Sequence, residues 1–199
     1  MNYSELINNI RDLGFSEDDE IEEMGELIPN SINRAISEIN IGVAPILEKH
    51  EVELTDDDEG YIYIDMLEVD ESFLDFADTP VLFERDGTSY YKKFADYDIE
   101  MGRTVVINAD EYKGKFRIFY KVAHETFTLE DEMLEEELPL PLRAHHLVPL
   151  LASFYVWEED DPSRATQYYN IYEQRAQEVV SSTKQLKAKI ITDAYYGGI

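Results

Sequence analysis

The stretch Leu147-Val-Pro-Leu-Leu-Ala-Ser-Phe-Tyr-Val-Trp157, followed by Glu-Glu-Asp-Asp161-Pro162, decides the C-terminal part of the fold. Its apolar residues recur at helical spacing and mark a buried helix face, made of Leu147, Leu150, Leu151, Phe154 and Trp157. Asp161 is a typical N-cap, and Pro162 is a typical first residue of a second helix. The stripe of that second helix is Ala165, Tyr168, Tyr169, Tyr172, Ala176, Val179 and Val180. The short acidic connection predicts an antiparallel helix hairpin.

Two more helices are predicted near the N-terminus. Residues 2–13 have helical apolar spacing, with Asn2 as cap and Gly14 as the end. A capping-box pattern, Ser16-Glu-Asp-Asp19, then opens a helix that Gly42 and Pro45 stop. Its stripe is Ile21, Met24, Ile28, Ile32, Ala35, Ile36 and Ile39. Pro29 lies inside this stripe and predicts a kink or a break.

The middle of the chain is predicted to be β. Short stretches rich in Val, Ile, Tyr and Phe are separated by Gly-containing turns, and they cover residues 51–54, 61–65, 80–85, 89–94, 103–108 and 115–122. In the last stretch, Phe116, Ile118, Tyr120 and Val122 share one face. Several strands close together in sequence favour an antiparallel sheet.

These elements predict an α+β fold. Residues 1–50 and 129–183 form a helical bundle, residues 51–128 form an inserted antiparallel β domain, and residues 184–199 form an extended C-terminal arm. The arm mixes apolar and aromatic residues with Gly, has no clear partner, and is expected to be poorly ordered unless it is tied down.

Composition excludes several classes of protein. The chain of 199 residues has 44 acidic and 17 basic side chains, a formal charge of −27. Nucleic-acid affinity rests on Lys and Arg neutralising phosphates, so phosphate binding by the whole surface is excluded. Hydrophobic residues make up 44% of the chain, which is enough for a core and argues against disorder.

The charge is unevenly distributed along the chain. Residues 1–162 carry 12 basic and 41 acidic side chains, net −29, whereas residues 163–199 are net +2. One interpretation is chance combined with a helix C-terminus, where the dipole favours cations. The other is an arm that docks on an acidic partner surface.

Neither thiol chemistry nor membrane insertion is indicated. The chain has no Cys, which excludes disulfides and thiolate metal sites. The longest apolar run, residues 147–157, contains Pro149 and Ser153 and is too short to span a bilayer. The first residues lack the pattern of a signal peptide. We expect a soluble protein that is intracellular or assembled inside a cell.

No arrangement of residues indicates catalysis. Asp56-Asp-Asp-Glu-Gly60 has part of the spacing of a calcium loop but lacks the bidentate carboxylate, so an acidic turn is the better interpretation of Asp56, Asp57, Asp58 and Glu59. Adjacent residues such as His145 and His146 point to different helix sides and cannot ligate one metal together. Gly-x-Ser-x-Gly and phosphate-binding Gly motifs are absent from the sequence. We predict no catalytic, cofactor or metal site.

The ordered set of features resembles the head–tail adaptor (connector) proteins of tailed bacteriophages. The segments that carry the resemblance are Asn30-Ser-Ile-Asn-Arg-Ala-Ile-Ser-Glu-Ile39, Gly114-Lys-Phe-Arg-Ile-Phe-Tyr120, Leu138-Pro-Leu-Pro141, Val148-Pro-Leu-Leu-Ala-Ser153, Trp157-Glu-Glu-Asp-Asp161 and Ala165-Thr-Gln-Tyr-Tyr-Asn-Ile-Tyr-Glu173. The β middle is longer than in the small all-helical adaptors, and the acidic loops are not a family motif.

The resemblance implies a structural protein of the virion neck, assembled in the host cytoplasm and without catalysis. Such proteins form a ring, typically a dodecamer, that binds the portal protein after packaging. The ring continues the channel for double-stranded DNA and presents a docking surface for a stopper or tail-completion protein. The arm residues expected to dock on the portal are Lys184, Lys187, Lys189, Ile190, Ile191, Tyr195, Tyr196 and Ile199. The acidic loop Asp56–Glu59 is a candidate channel or surface element.

Two alternatives belong to other classes. One is a tail-completion or stopper protein of the same neck, which contacts the adaptor and not the portal. The other is an acidic cytoplasmic metal-binding module or metal-dependent enzyme.

Overall fold

The computed structural model describes residues 1–14, 27–85 and 90–196, and it divides the chain into two compact units. One unit, the helical unit, comprises Met1–Pro45 and His124–Ile199, and the other, the β unit, comprises Ile46–Ala123. The predicted capping box at Ser16, together with Ile21 and Met24, lies outside the described residues.

The described elements follow one another in a helix, strand, helix order. They are α1 (Tyr3–Gly14), α2 (Leu27–Gly42), β1 (Leu47–Leu54), β2 (Tyr61–Asp65), α3 (Met66–Val69), β3 (Phe73–Arg85), β4 (Lys92–Lys93), β5 (Tyr97–Glu100), β6 (Thr104–Asn108), β7 (Gly114–Val122), α4 (Asp131–Leu134), a 3₁₀ helix (Leu142–Leu147), α5 (Val148–Trp157) and α6 (Pro162–Tyr196). The mixture of helices and antiparallel strands confirms the predicted α+β class.

Helix α5 lies at the centre of the helical unit. Every residue from Val148 to Trp157 is buried except Phe154, which is half-buried. A helix that is apolar on all sides has to be covered on all sides. Helices α1, α2 and α6 and the 3₁₀ helix all pack against it. The sequence predicted that one face of α5 is buried, whereas nearly all of its residues are buried.

Helix α1 begins with the predicted Asn2 cap. The Glu5 backbone N–H donates to Asn2 Oδ1 at 2.8 Å, and the Asn2 N–H donates back to Glu5 Oε2 at 3.2 Å. This reciprocal pair is a capping box, which satisfies two otherwise unpaired donors. On the inner side, Tyr3 stacks on Phe127 with ring centroids 4.1 Å apart.

Helix α2 confirms the predicted stripe over its described length. Ile28, Ile32, Ile36 and Ile39 are buried. The described helix begins only two residues before Pro29, so Pro29 lies in the first turn. The N–H groups of a first turn have no partner within the helix, so a proline there removes no hydrogen bond and requires no kink.

Helix α6 corrects the predicted extended arm. Asp161 caps it as predicted, accepting from the Arg164 N–H at 3.0 Å. The helix then continues through residue 184 and ends at Tyr196. Residues 184–196 contain neither Gly nor Pro and are rich in Lys, Gln, Leu and Ala, which have high helix propensity. None of the described helices is both long enough and apolar enough to cross a membrane.

Two antiparallel sheets build the β unit. One has the strand order β1-β7-β3-β4 and the other β2-β6-β5. Strand β7 alternates as predicted, with its inner face buried in the shared core. Both sheets contribute to that core, whose fully enclosed side chains include Met66, Ile107, Phe116 and Ile118.

Several strand limits differ from the prediction. Strand β1 begins at Leu47 and β3 at Phe73, earlier than residues 51 and 80, and β5 was not predicted at all. The turn between β5 and β6 holds Met101 and Gly102, both left-handed, with φ of 53° and 72°. Left-handed angles at both central positions are typical of a type I′ hairpin turn, which favours Asn and Gly and rarely uses Met.

Two leucines of the helical unit provide a matched test of the core. Leu151 is 0% exposed and Leu142 is 78% exposed. Leu151→Ala is expected to lower the free energy of unfolding by about 2–5 kcal/mol, because it removes buried methyl groups and leaves a cavity. Leu142→Ala is expected to change it by no more than about 0.5 kcal/mol. Chemical denaturation measures both, and equal losses would contradict this placement of α5.

Candidate assembly surfaces

The acidic segment Asp56–Glu59 is a turn between β1 and β2. Asp58 closes it, since its Oδ2 accepts from the Thr55 N–H at 2.7 Å and from the Thr55 hydroxyl at 3.0 Å. These hydrogen bonds hold the pKa of Asp58 below its usual range. Lys113 Nζ donates to the Thr55 carbonyl at 2.8 Å and also to the Asp58 carbonyl.

The four predicted acidic residues therefore have different environments. Asp56, Asp57 and Glu59 are exposed, whereas Asp58 is half-buried and committed to the turn. Within the described parts of the chain, no group of three or more His, Asp or Glu residues is arranged to hold a metal ion. The geometry supports an acidic turn closed by Asp58.

The histidines make packing contacts. His145 is buried, with Nε2 2.7 Å from the Leu140 carbonyl and Nδ1 3.3 Å from the Met1 nitrogen. His124 lies 3.3 Å from Asn33 Oδ1, and burial lowers its pKa. Burial lowers the pKa of His146 as well, with a further contribution from Arg175. For His124 and His146, burial lowers the pKa because it disfavours the charged imidazolium.

The residues predicted to dock on a portal lie at the C-terminal end of α6. The helix carries Lys184, Lys187, Lys189, Ile190, Ile191, Tyr195 and Tyr196, and Ile199 lies outside the described residues. The last buried side chain of α6 among those described is Val179. The predicted docking segment therefore follows Val179 in the chain.

One groove runs between α2 and α6, with a volume of about 450 Å³. We call it the Glu173 groove. Its charged residues are Glu38 and Glu173, beside Tyr169 and Tyr172. Tyr169 also contacts the Phe154 ring of α5, with centroids 5.0 Å apart. This contact agrees with the predicted place of Tyr169 in the stripe of α6.

Glu38 is held in place at the edge of this groove. The Tyr155 hydroxyl donates to Glu38 Oε2, and burial followed by this contact raises the pKa of Tyr155. Burial and the nearby Glu38 raise the pKa of Tyr172 to about 12. Arg34 lies 3.8 Å above the Tyr155 ring and 3.2 Å from Glu158. A phenol and a cation–π contact thus fix this wall of the groove.

A second groove, of about 580 Å³, lies between α1, the 3₁₀ helix, α5 and α6. We call it the Arg175 groove. Leu13, Leu142 and Ile171 are exposed at it, and Arg175 and Asp12 also line it. Sequence reasoning missed both grooves, because residues such as Leu13 and Ile171 are far apart in the chain. In the sequence, the signal was the apolar Ile171, which lies outside the predicted stripe of α6.

The family model described as SU10 adaptor protein matches residues 1–192. The chain therefore belongs to this family of phage head–tail adaptors, which places it among the structural proteins of the virion neck. A search of curated proteins finds no match to this chain.

Asp58 provides a pH test of the acidic turn. A carboxylate whose pKa is lowered by folding stabilises the protein above its unfolded pKa, about 3.9, and this stabilisation is lost as the pH falls through the folded value. Asp58→Asn is therefore expected to unfold at a lower temperature than the wild type at pH 7, with the difference vanishing once the pH falls below the folded pKa of Asp58. Asp56→Asn is the matched control and is expected to melt like the wild type. Identical melting of both variants across this range would count against a structural role for Asp58.

Proposed function

We propose that this protein forms a ring of about twelve copies that binds the portal of a tailed phage after DNA packaging. The ring continues the DNA channel, and its opposite face receives a stopper or tail-completion protein. The single observation that carries the proposal is the family match over residues 1–192. The ring assembles in the host cytoplasm and remains in the virion neck.

We place the portal contact at the C-terminal end of α6, from residue 184 onward. The charge pattern supports this choice, because residues 163–199 are net +2 and the preceding chain is net −29. A cationic segment is attracted to an acidic partner surface and steered towards it. The segment also follows Val179, the last buried residue of α6 among those described.

We place the exposed carboxylates of the acidic turn in or near the channel. Asp56, Asp57 and Glu59 are exposed, and a ring repeats them in every copy. Carboxylates repel DNA phosphates, so a lining of this kind lets the genome slide without sticking. No sequence-specific contact with DNA is required.

Truncation after Thr183 tests the portal contact. The truncated chain keeps the buried α6 residues Ala165, Tyr172, Ala176 and Val179, so we expect it to stay folded. We expect it to lose detectable binding to purified portal rings, because the cationic segment is gone. Thermal unfolding and co-sedimentation with portal measure the two properties.

A variant that keeps the length and changes the charge is the control. Lys184→Gln, Lys187→Gln and Lys189→Gln together should weaken portal binding and reduce its dependence on salt, because screening acts on exposed charges. A folded, truncated chain that still binds portal rings would overturn this assignment of the portal contact.

The acidic turn is tested by replacing Asp56, Asp57 and Glu59 with Asn, Asn and Gln, while Asp58 is left in place to hold the turn. Phage carrying this variant is expected to release its genome more slowly than wild-type phage, because the channel repels the phosphates less. Release of DNA from purified virions, followed by fluorescence, gives the rate.

The control replaces three exposed carboxylates elsewhere in the β unit, namely Glu68, Asp98 and Glu100. It removes the same number of charges and is expected to leave the rate unchanged. Equal rates for the acidic-turn variant and the wild type would remove the acidic turn from the channel.

A further inference from the structure

We propose that neighbouring copies of this chain join through the two flanks of α6, with Arg175 and the apolar rim of one copy docking into the Glu173 groove of the next. This inference rests on the proposed ring and deepens it by naming the interface between copies.

The two grooves lie on opposite flanks of α6. Successive residues of an α-helix are rotated by about 100°, so Glu173 and Arg175 point in directions about 160° apart across the axis. Glu173 opens towards α2, and Arg175 opens towards α1 and the 3₁₀ helix. All of these elements belong to the helical unit, and the buried face of α6 lies between the two flanks.

The Glu173 groove is suited to a cation. Its lining has two carboxylates, from Glu38 and Glu173, and no Lys or Arg. The half-buried ring of Tyr169 adds aromatic surface, to which a guanidinium binds by stacking and cation–π attraction. An arginine entering this groove also meets two hydrogen-bond acceptors, and charge-assisted hydrogen bonds are the strong ones.

The Arg175 groove carries the complementary group. Arg175 is exposed and has no ion-pair partner among the described residues. Leu142 and Ile171 are 78% and 42% exposed beside it, so the rim also offers apolar area to bury. Two acidic groups lie nearby, Asp12 in the lining and Glu178 close to His146. These carboxylates do not favour an acidic groove, so the contact with the next copy is centred on the guanidinium of Arg175 and on the apolar rim.

The overall charge makes such a pair necessary. Copies with a charge of −27 repel one another, and two acidic surfaces brought together cost free energy. Placing the Arg175 flank against the Glu173 groove avoids this at the point of contact. Because the two surfaces differ, the contact is heterologous, and repeated contacts of this kind close into a ring when the rotation allows. A two-fold contact would bring the same flank of both copies together, and like charges would then face each other.

Charge reversal tests the interface in trans. Glu173→Arg and Arg175→Glu each place like charges across every contact, so each variant alone is expected to need at least about tenfold more protein to form rings. The double variant restores an opposite pair at every contact and should assemble like the wild type. A mixture of the two single variants should also assemble, with the variants alternating. Mass photometry and negative-stain microscopy, with and without portal rings, count the copies.

The control is Gln174→Arg, which changes the charge on the exposed side of α6 between the two flanks. It should assemble like the wild type, and all variants should keep the wild-type melting temperature because their sites are exposed. Rings that persist in both single variants, or a mixture and a double variant that both fail, would overturn this interface while leaving portal binding intact. A wild-type chain that neither forms rings nor binds portal would overturn the proposed function as well.

Discussion

The helical unit depends on one constraint, which is that α5 is buried on almost every side. Its residues from Val148 to Trp157 are buried almost without exception, so segments from both ends of the chain must meet around it. Helices α1 and α2 come from the first 42 residues, and α6 comes after residue 161. The intervening strands have a core of their own, around side chains such as Phe116 and Ile118.

The same packing creates the surfaces that we propose for assembly. Helix α6 covers α5 with one face only, through Ala165, Tyr172, Ala176 and Val179, and so leaves both of its flanks open. The flank against α2 is acidic and aromatic, whereas the flank against α1 carries Arg175 and exposed apolar side chains. The helix that covers α5 thus also carries two unlike surfaces. No further element is required to make the contact between copies directional.

Much of the fold was predictable where local chemistry and packing agree. The Asn2 and Asp161 caps and the alternation of β7 follow from rules that act over a few residues. Strand β5 was missed because Tyr97-Asp-Ile-Glu100 is short and half charged, and it becomes a strand through pairing with β6. The helical end of α6 was mistaken for an arm because its apolar residues have no regular stripe, although its helix propensity is high.

The acidic turn was located correctly, but the role of Asp58 depends on Thr55 and Lys113 and needed coordinates. The grooves join residues more than 100 positions apart, which no local pattern reports.

The way the chain enters and leaves the β unit has a consequence for folding. Leu47 and Lys121 are paired neighbours on adjacent strands, and the Val122 N–H donates to the Ile46 carbonyl at 3.2 Å. The ends of the inserted segment Ile46–Ala123 are therefore side by side once the β unit has formed. Closing a flexible loop of that length costs conformational entropy that a loop of two or three residues does not. The connection between α2 and α5 spans residues 43–147, and a folded β unit shortens it from about 105 to about 30 residues. At about 0.6 kcal/mol for each doubling of length, this lowers the entropic cost of bringing α2 to α5 by about 1 kcal/mol. Formation of the β unit therefore makes it easier for α2 and α5 to meet in the helical unit.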